Sequence, residues 1–526
     1  MAEQTSRTDE GAKGGRTSPL PPGIIPLLVV AVLLVRVVMW MQSDLWYDEV
    51  VTLAEFAIGG ADGSLSDVFR HYPIANNHIL FSAILWVWVR LTGFSLVEPI
   101  TRLPALVFAI LTVLVVLRLW RVSLGRRVAV YAALLFAASP VLSPFYYQLR
   151  GYSLTFLLAA MAMAGAAELA RGDVRQGAWQ AALPCLLLPL VIPSNVLLVG
   201  ALALFALLAG EGGWGKRVGG AAVLAVAGAL GGAYYLTIWP QFTKVMQQTA
   251  GWDSGWLVAG NVLLALVAHL GPVAVVAVAC AFSRSHLVGH ARDERREALI
   301  LLGACALAVT GGILVSQRAP FPRVFAVFLV PATWAAFRLC RQAGFWQAHG
   351  MLRVAGAILI SAFLWERGAD LTTQRQVAVG EHPQNLLQQF YRGDSELSGL
   401  VLTLKAKEMD RDMIVVTNGH DFRTFDFYWR IRGLTTEADS PIPGLGIRHV
   451  IAVNDASCAA TCEQAFGRGL FVSVLAHGEE EAARLVGECG QTGRLEKIVE
   501  MGSRGIYTLI PLGRDVVAPP RPSDQS

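Results

Sequence analysis

Residues 24–57 read "IIPLLVVAVLLVRVVMWMQSDLWYDEVVTLAEFA". Residues 24–41 are apolar except for Arg36, and the run is long enough to cross a bilayer as a helix, which takes roughly 17–25 residues. Asp44, Asp48 and Glu49 follow at once, with Trp46 and Tyr47 between them. Aromatic side chains of this kind favour the membrane–water boundary. A carboxylate at that depth is costly, so it is expected to be paired or put to use. The stretch 42–77 holds Asp44, Asp48, Glu49, Glu55, Asp62 and Asp67 against the single basic residue Arg70. Connections are usually much shorter, and "VVTLAEFAIGG" reads as a surface helix stopped by glycine.

Outward from this stretch, further apolar runs recur near 78–92, 103–120, 128–145, 153–170, 178–192, 194–210, 218–239, 256–282, 298–316, 322–340 and 351–366. The chain is 54% hydrophobic and 16% charged, against roughly 25% charged in a soluble protein, and its mean hydropathy is +0.50. These values predict a polytopic α-helical membrane protein with about 11–13 spans. The net charge of +4 is too small to argue for a nucleic-acid partner. Residues 1–22 are polar and rich in Gly and Pro, and are expected to be a disordered tail. The apolar run after them lacks a small-residue cleavage site and reads as a retained helix.

Orientation follows from basic loops. Arg7, Lys13 and Arg16, then Arg118, Arg121, Arg126 and Arg127, then Arg171 and Arg175, Lys216 and Arg217, Arg284 to Arg296, and Arg338 to Arg353 mark the cytoplasmic side. The loop 42–77 and everything after Trp365 are then expected outside the cell membrane. Residues 78–92 resist this scheme: they must enter and return, or the loop at 118–127 breaks the rule.

After residue 367 the composition changes. "MIVVTNG", "HVIAVND", "LFVSVLA" and "GIYTLIPL" read as strands and alternate with helical stretches, which predicts a small α/β domain over 368–515, with 516–526 a disordered tail. The transmembrane domain is expected over 23–367. "DRD" at Asp410–Asp412 resembles the metal-binding acid pair of nucleotide-sugar transferases, but it precedes its strand and reads better as a solvated helix end. Cys458, Cys462 and Cys489 fall in this part. Cys458–Cys462 is a candidate disulfide if the domain faces an oxidising compartment. No internal repeat is evident.

Four groups of residues have the chemistry of a site. Asp48 and Glu49 are the first. Asp44, just before them, reads as a cap for the next helix. "HYPIANNHILF" supplies His71, Asn76, Asn77 and His78 at the opening of an apolar run, with His71 best read as a surface side chain. A divalent metal would want several such ligands, and nothing here fixes their spacing. Last come Arg102 in "TRLPAL", Arg150 in "YYQLRGYSL", and Arg318 and Arg323 in "QRAPFPRVF". Arginine keeps its charge and offers a fixed fork of donors that suits phosphate.

"SDLWYDEVVTLAEFA", "NNHILFSAILWVWVRLTG" and the stretch from "TRLPALVFAILTVLVVLRLW" to "FYYQLRGYSL" together resemble the N-terminal core of GT-C membrane glycosyltransferases, of the protein O-mannosyltransferase and aminoarabinose-transferase type. The resemblance covers residues 20–175, and "PFPRVFAVFLVPA" at 320–332 is similar to a later segment of such chains. "NNHILF" lacks the paired prolines common in relatives, Asn77 stands where some carry a metal-ligating Glu, and "YQLRGY" lacks the acid that often precedes the arginine.

The resemblance implies a GT-C fold and an inverting transfer of a sugar from a polyprenyl-phosphate donor to an acceptor hydroxyl, on protein, lipid or envelope glycan, at the outer membrane face. It implies Asp48 as general base with Glu49 assisting, and Asn77, His78, Arg102, Arg150, Tyr152 and Arg323 around the donor. No cofactor is expected, and the Asn77 departure disfavours a metal. The competing reading is a transporter or flippase, which would show repeated halves and helices broken at the midplane.

Overall fold

The computed structural model describes residues 24–58, 64–73, 77–248, 255–281, 291–315, 322–341, 354–364, 367, 396–406, 413–431, 450–501 and 504–511. Asn76, Arg318 and Asp410–Asp412 lie outside these.

Six helical segments among the described residues are long and apolar enough to cross a membrane: Glu98–Leu124, Tyr152–Ala170, Trp214–Gln247, Gly255–Val273, Glu294–Leu314 and Pro322–Leu339. Ile24–Val37, Ile79–Leu91, Pro193–Ala209 and Val354–Leu364 are shorter apolar helices. The chain is a polytopic helical membrane protein with a C-terminal α/β domain. The Ile79–Leu91 helix, 13 residues, is about 20 Å long, short of the roughly 30 Å hydrocarbon core.

Local sequence sets the helix ends. Glu98 and Pro99 open Glu98–Leu119, Pro being tolerated where no intrahelical N–H is needed. Ser64 and Asp67 form a reciprocal capping box ahead of Leu65–Arg70. Gly125, at φ +84°, makes the turn between Arg121–Leu124 and Arg126–Ala138, a conformation that costs a side-chain-bearing residue. Between Ile192 and Val196 the chain makes a single turn of 3-10 helix at Pro193–Asn195, so the apolar stretch from 174 to 209 is two helices rather than one.

The C-terminal domain is a five-stranded sheet. Its strands are β1 (Met413–Thr417), β2 (Val450–Ala452), β3 (Phe471–Ala476), β4 (Gly493–Met501) and β5 (Arg504–Pro511), in the order β2-β1-β3-β5-β4. β2, β1 and β3 run parallel, while β5 lies antiparallel to β3 and to β4. β1 is buried along its whole length, as expected for a parallel strand covered on both faces. Ile414 and Val416 join a small core with Cys458, Cys462, Val472, Val474 and Leu485. Met413 and Val415 point the other way, into a cluster that continues without a break through Phe425, Tyr428 and Trp429 to Leu45 and the membrane helices.

The disulfide differs from the expected pair: Cys458 bonds Cys489, with Cα atoms 5.5 Å apart, and Cys462 is a buried thiol. The reason is geometric. Cys458 and Cys462 lie four apart on the helix Cys458–Gly467, which holds Cβ atoms about 5–6 Å apart, too far for a disulfide's roughly 3.5–4.5 Å.

Candidate active site

The chain leaves the first helix through a 3-10 turn, Val38–Gln42, and re-enters helix at Tyr47–Val51. The short helix then widens into a π-helical stretch, Thr52–Ile58. Trp46 is its N-cap, and Glu49 Oε2 reaches back to accept the Trp46 N–H at 3.2 Å. This places Asp48 and Glu49 in the first turn, both buried, and sends the two carboxylates to different partners.

Glu49 faces Arg102. The guanidinium donates from Nε to Oε1 at 3.0 Å and from Nη2 to Oε2 at 2.6 Å, and the Leu149 N–H adds a second bond to Oε1 at 2.6 Å. Arg102 is itself 1% exposed. Its remaining donors go to the carbonyls of Trp40, Met41, Ser43 and Asp44 and to the Ser43 hydroxyl, at 2.6–3.3 Å. One side chain from the Glu98–Leu119 helix therefore threads the whole backbone turn that precedes the acid pair.

Asp48 faces two other arginines. Its Oδ2 lies 2.8 Å from Arg323 Nη2 and 3.1 Å from Arg150 Nη1. All three side chains are under a tenth exposed. Two cations surround one carboxylate. Arg323 also lies over the Trp46 ring, 5.1 Å from its centroid.

His78 completes this cluster. Its Nδ1 accepts the Gly151 N–H at 2.8 Å, and its Nε2 is 3.1 Å from Arg150 Nη2. The imidazole stands edge-on to Tyr152. Burial first, then Arg150 and Arg323, hold its pKa well below the ordinary value of 6.5, so the ring is neutral. The backbone donor at Nδ1 assigns the single ring proton to Nε2, where it points at a guanidinium that also donates. An acceptor oxygen lying to the side of both nitrogens, within about 2.7–3.2 Å of each, would satisfy both. Gly151 allows the approach: a Cβ there would lie 2.9 Å from His78 Nδ1 and 2.5 Å from Val191 Cγ1.

The expected residues thus divide. Asp48, His78, Arg150, Tyr152 and Arg323 come together from four separate elements. Glu49 and Arg102 form an adjoining buried pair directed at the backbone. Asn77 is fully buried, its Nδ2 donating to the carbonyls of Val68 and His71. The His71 side chain is exposed.

Asp44 does not cap the helix that follows it. Its carboxylate accepts the N–H and the hydroxyl of Ser398, at 3.0 and 2.5 Å, in the first turn of Glu396–Ala406. Burial raises its pKa above the usual carboxylate value. Ser398 and Tyr428, whose hydroxyl accepts the Leu45 N–H at 2.6 Å, carry no sequence signal for this role. Their partners lie more than 350 positions away.

No family model matches the chain, and no curated protein does. Among solved structures it is similar to ArnT from Cupriavidus metallidurans. In the apo state the TM-score is 0.50 at 14% identity, covering 92% of this chain and 97% of that one. Bound to undecaprenyl phosphate the TM-score is 0.51 at 13% identity, with the same coverage. The Archaeoglobus fulgidus oligosaccharyltransferase, in complex with Zn and sulfate, gives 0.43 at 12% identity, covering 93% of this chain and 74% of that one. At such identities the ArnT likeness is one of fold: this chain has the GT-C fold.

Proposed function

We propose that the chain is a membrane glycosyltransferase that moves a sugar from a polyprenyl-phosphate donor to an acceptor hydroxyl at the outer membrane face, with Asp48 as general base. The observation that carries this reading is the buried Asp48–Arg150–Arg323 cluster, which among the described residues has a surplus of positive charge, with His78 Nε2 beside Arg150. A singly charged phosphodiester would balance that surplus, and its oxygens would accept from both Arg150 and His78 Nε2. The solved ArnT of the same fold binds undecaprenyl phosphate, in keeping with a donor that is half lipid.

In this mechanism the two arginines exchange Asp48 for the donor phosphate. The carboxylate is then open to the acceptor. The acceptor oxygen attacks the anomeric carbon, its proton passes to Asp48, and the sugar–phosphate C–O bond breaks with its electron pair going to the phosphate. Base catalysis of this kind contributes about 10²–10⁴-fold. Arg150 and Arg323 stabilise the charge on the departing polyprenyl phosphate, as fixed cations in a water-poor site do well. Glu49 and Arg102 serve as the foundation of the turn that presents Asp48, rather than as donor ligands.

Mass spectrometry of cell-envelope glycans, glycolipids and secreted proteins from a strain lacking the chain should reveal a missing hexose, pentose or aminosugar. Re-expression of the wild type should restore it and Asp48→Asn should not, at equal membrane abundance. Full restoration by Asp48→Asn would refute the assignment.

A further inference from the structure

The turn bearing the acid pair is gripped from two directions. Arg102 holds the backbone carbonyls of residues 40–44 from the membrane helices. The second grip comes from the C-terminal domain. Both oxygens of Asp44 are taken by Ser398, and the Leu45 amide is taken by the Tyr428 hydroxyl. A third link, 3.1 Å between Arg423 and Glu55, lies on the far side of Asp48. The first two are buried: Asp44 and Ser398 are each 6% exposed, and Tyr428 is sealed completely. Charge-assisted bonds in such surroundings are short and stiff, and a buried amide deprived of its acceptor bears the full cost of desolvation.

Only Trp46 and Tyr47 separate Leu45 from Asp48. Trp46 is the cap and Tyr47 the first residue of the helix on which Asp48 sits, so a rotation at 44–45 passes directly into the carboxylate. The geometry points to the C-terminal domain as a positioning element of the active site: Ser398 and Tyr428 set where Asp48 stands relative to Arg150 and Arg323. Neither touches reacting atoms. The inference rests on the reading of Asp48 as general base. A displacement of about 1 Å at such a group can cost ~10²-fold in rate. Because Arg102 keeps its hold on residues 40–44 independently, loss of the second grip is expected to spoil aim before it spoils folding.

The test uses the full-length chain in lipid nanodiscs, as Ser398→Ala, Tyr428→Phe and the double variant. In the double variant, amide hydrogen exchange across 45–52 should speed at least tenfold, with the Tyr152–Ala170 helix unchanged. Binding of undecaprenyl phosphate, used as the probe, should stay within twofold of wild type. In cells lacking the chain, the double variant should restore the missing envelope sugar at least tenfold more slowly. Its membrane abundance should match wild type, which general destabilisation would lower. Unchanged protection of 45–52, or restoration within twofold of wild type, would overturn the inference. If Asp48→Asn proves fully active, the reading of the site fails instead, and the exchange result still decides whether the domain holds the turn.

Discussion

Arg102→Lys conserves charge and most of the length, yet the structure makes it a severe change. Arg102 bonds two carboxylate oxygens, four carbonyls and one hydroxyl. An ammonium has three donors and no planar fork, so it cannot reproduce these seven contacts, most of which are buried. Removing one partner of a buried ion pair typically costs about 3–5 kcal/mol, which is roughly a hundred- to several-thousandfold in the folded-to-unfolded ratio. Lys still supplies a charge, so the lower end applies to this variant and the upper end to Arg102→Ala. The assay is thermal inactivation followed by fluorescence-detected size exclusion in mild detergent. Arg102→Lys should lose its monodisperse peak well below the wild-type temperature, and Arg102→Ala should fail to yield one. A normally stable Arg102→Lys that no longer restores the envelope sugar would refute this reasoning, because Arg102 would then be serving the donor and not the backbone.

His78 has a folded pKa below its unfolded value of about 6.5, so the unfolded state binds the extra proton first. Its contribution to stability is fully present above pH 6.5 and is lost as pH falls toward the folded value. Thermal midpoints at pH 7.5 and 5.0 should therefore differ less in His78→Gln than in wild type; an identical difference would count against a neutral buried ring. Gly151→Ala forces a methyl group to within 2.9 Å of His78 Nδ1 and 2.5 Å of Val191. It should cost about 1–3 kcal/mol by overpacking and, by tilting the imidazole, weaken undecaprenyl phosphate binding measurably. Non-reducing peptide mapping should yield a Cys458–Cys489 cross-link, with Cys462 alkylated only after unfolding; a Cys458–Cys462 peptide would contradict the packing of the two helices.

Much of the membrane part is legible because lipid imposes a simple rule on sequence. The run 153–170 appears as the helix Tyr152–Ala170, and 194–210 as Val196–Ala209 after its short turn. Glu98–Leu119 begins five residues before the apolar run that signals it, because Glu98, Thr101 and Arg102 are polar residues buried inside a helix. Candidate site residues could be named one at a time, since acids, arginines and a histidine stand out against apolar surroundings. Their grouping could not. Asp48 and Arg323 meet across 275 positions, and no local pattern records that distance. Arg102 looks the same in sequence as Arg150, and only its acceptors, mostly backbone carbonyls, separate the two. Asp44 departs from its expected role for a related reason: a short acid before a helix usually caps it, but here Trp46 takes that position and Glu49 supplies the bond, releasing Asp44 for a distant serine.

That distant bond has a consequence for biogenesis. Asp44 emerges from the ribosome with the first hydrophobic segment, and Ser398 emerges 354 residues later. At ordinary elongation speeds of about 5–20 residues per second, the interval is roughly 20–70 s. Throughout it the nascent chain can insert helix after helix while its early acidic turn stays half tethered. A polypeptide truncated before residue 396 would carry every side chain of the Asp48 cluster and still lack the second hold on the turn that bears it.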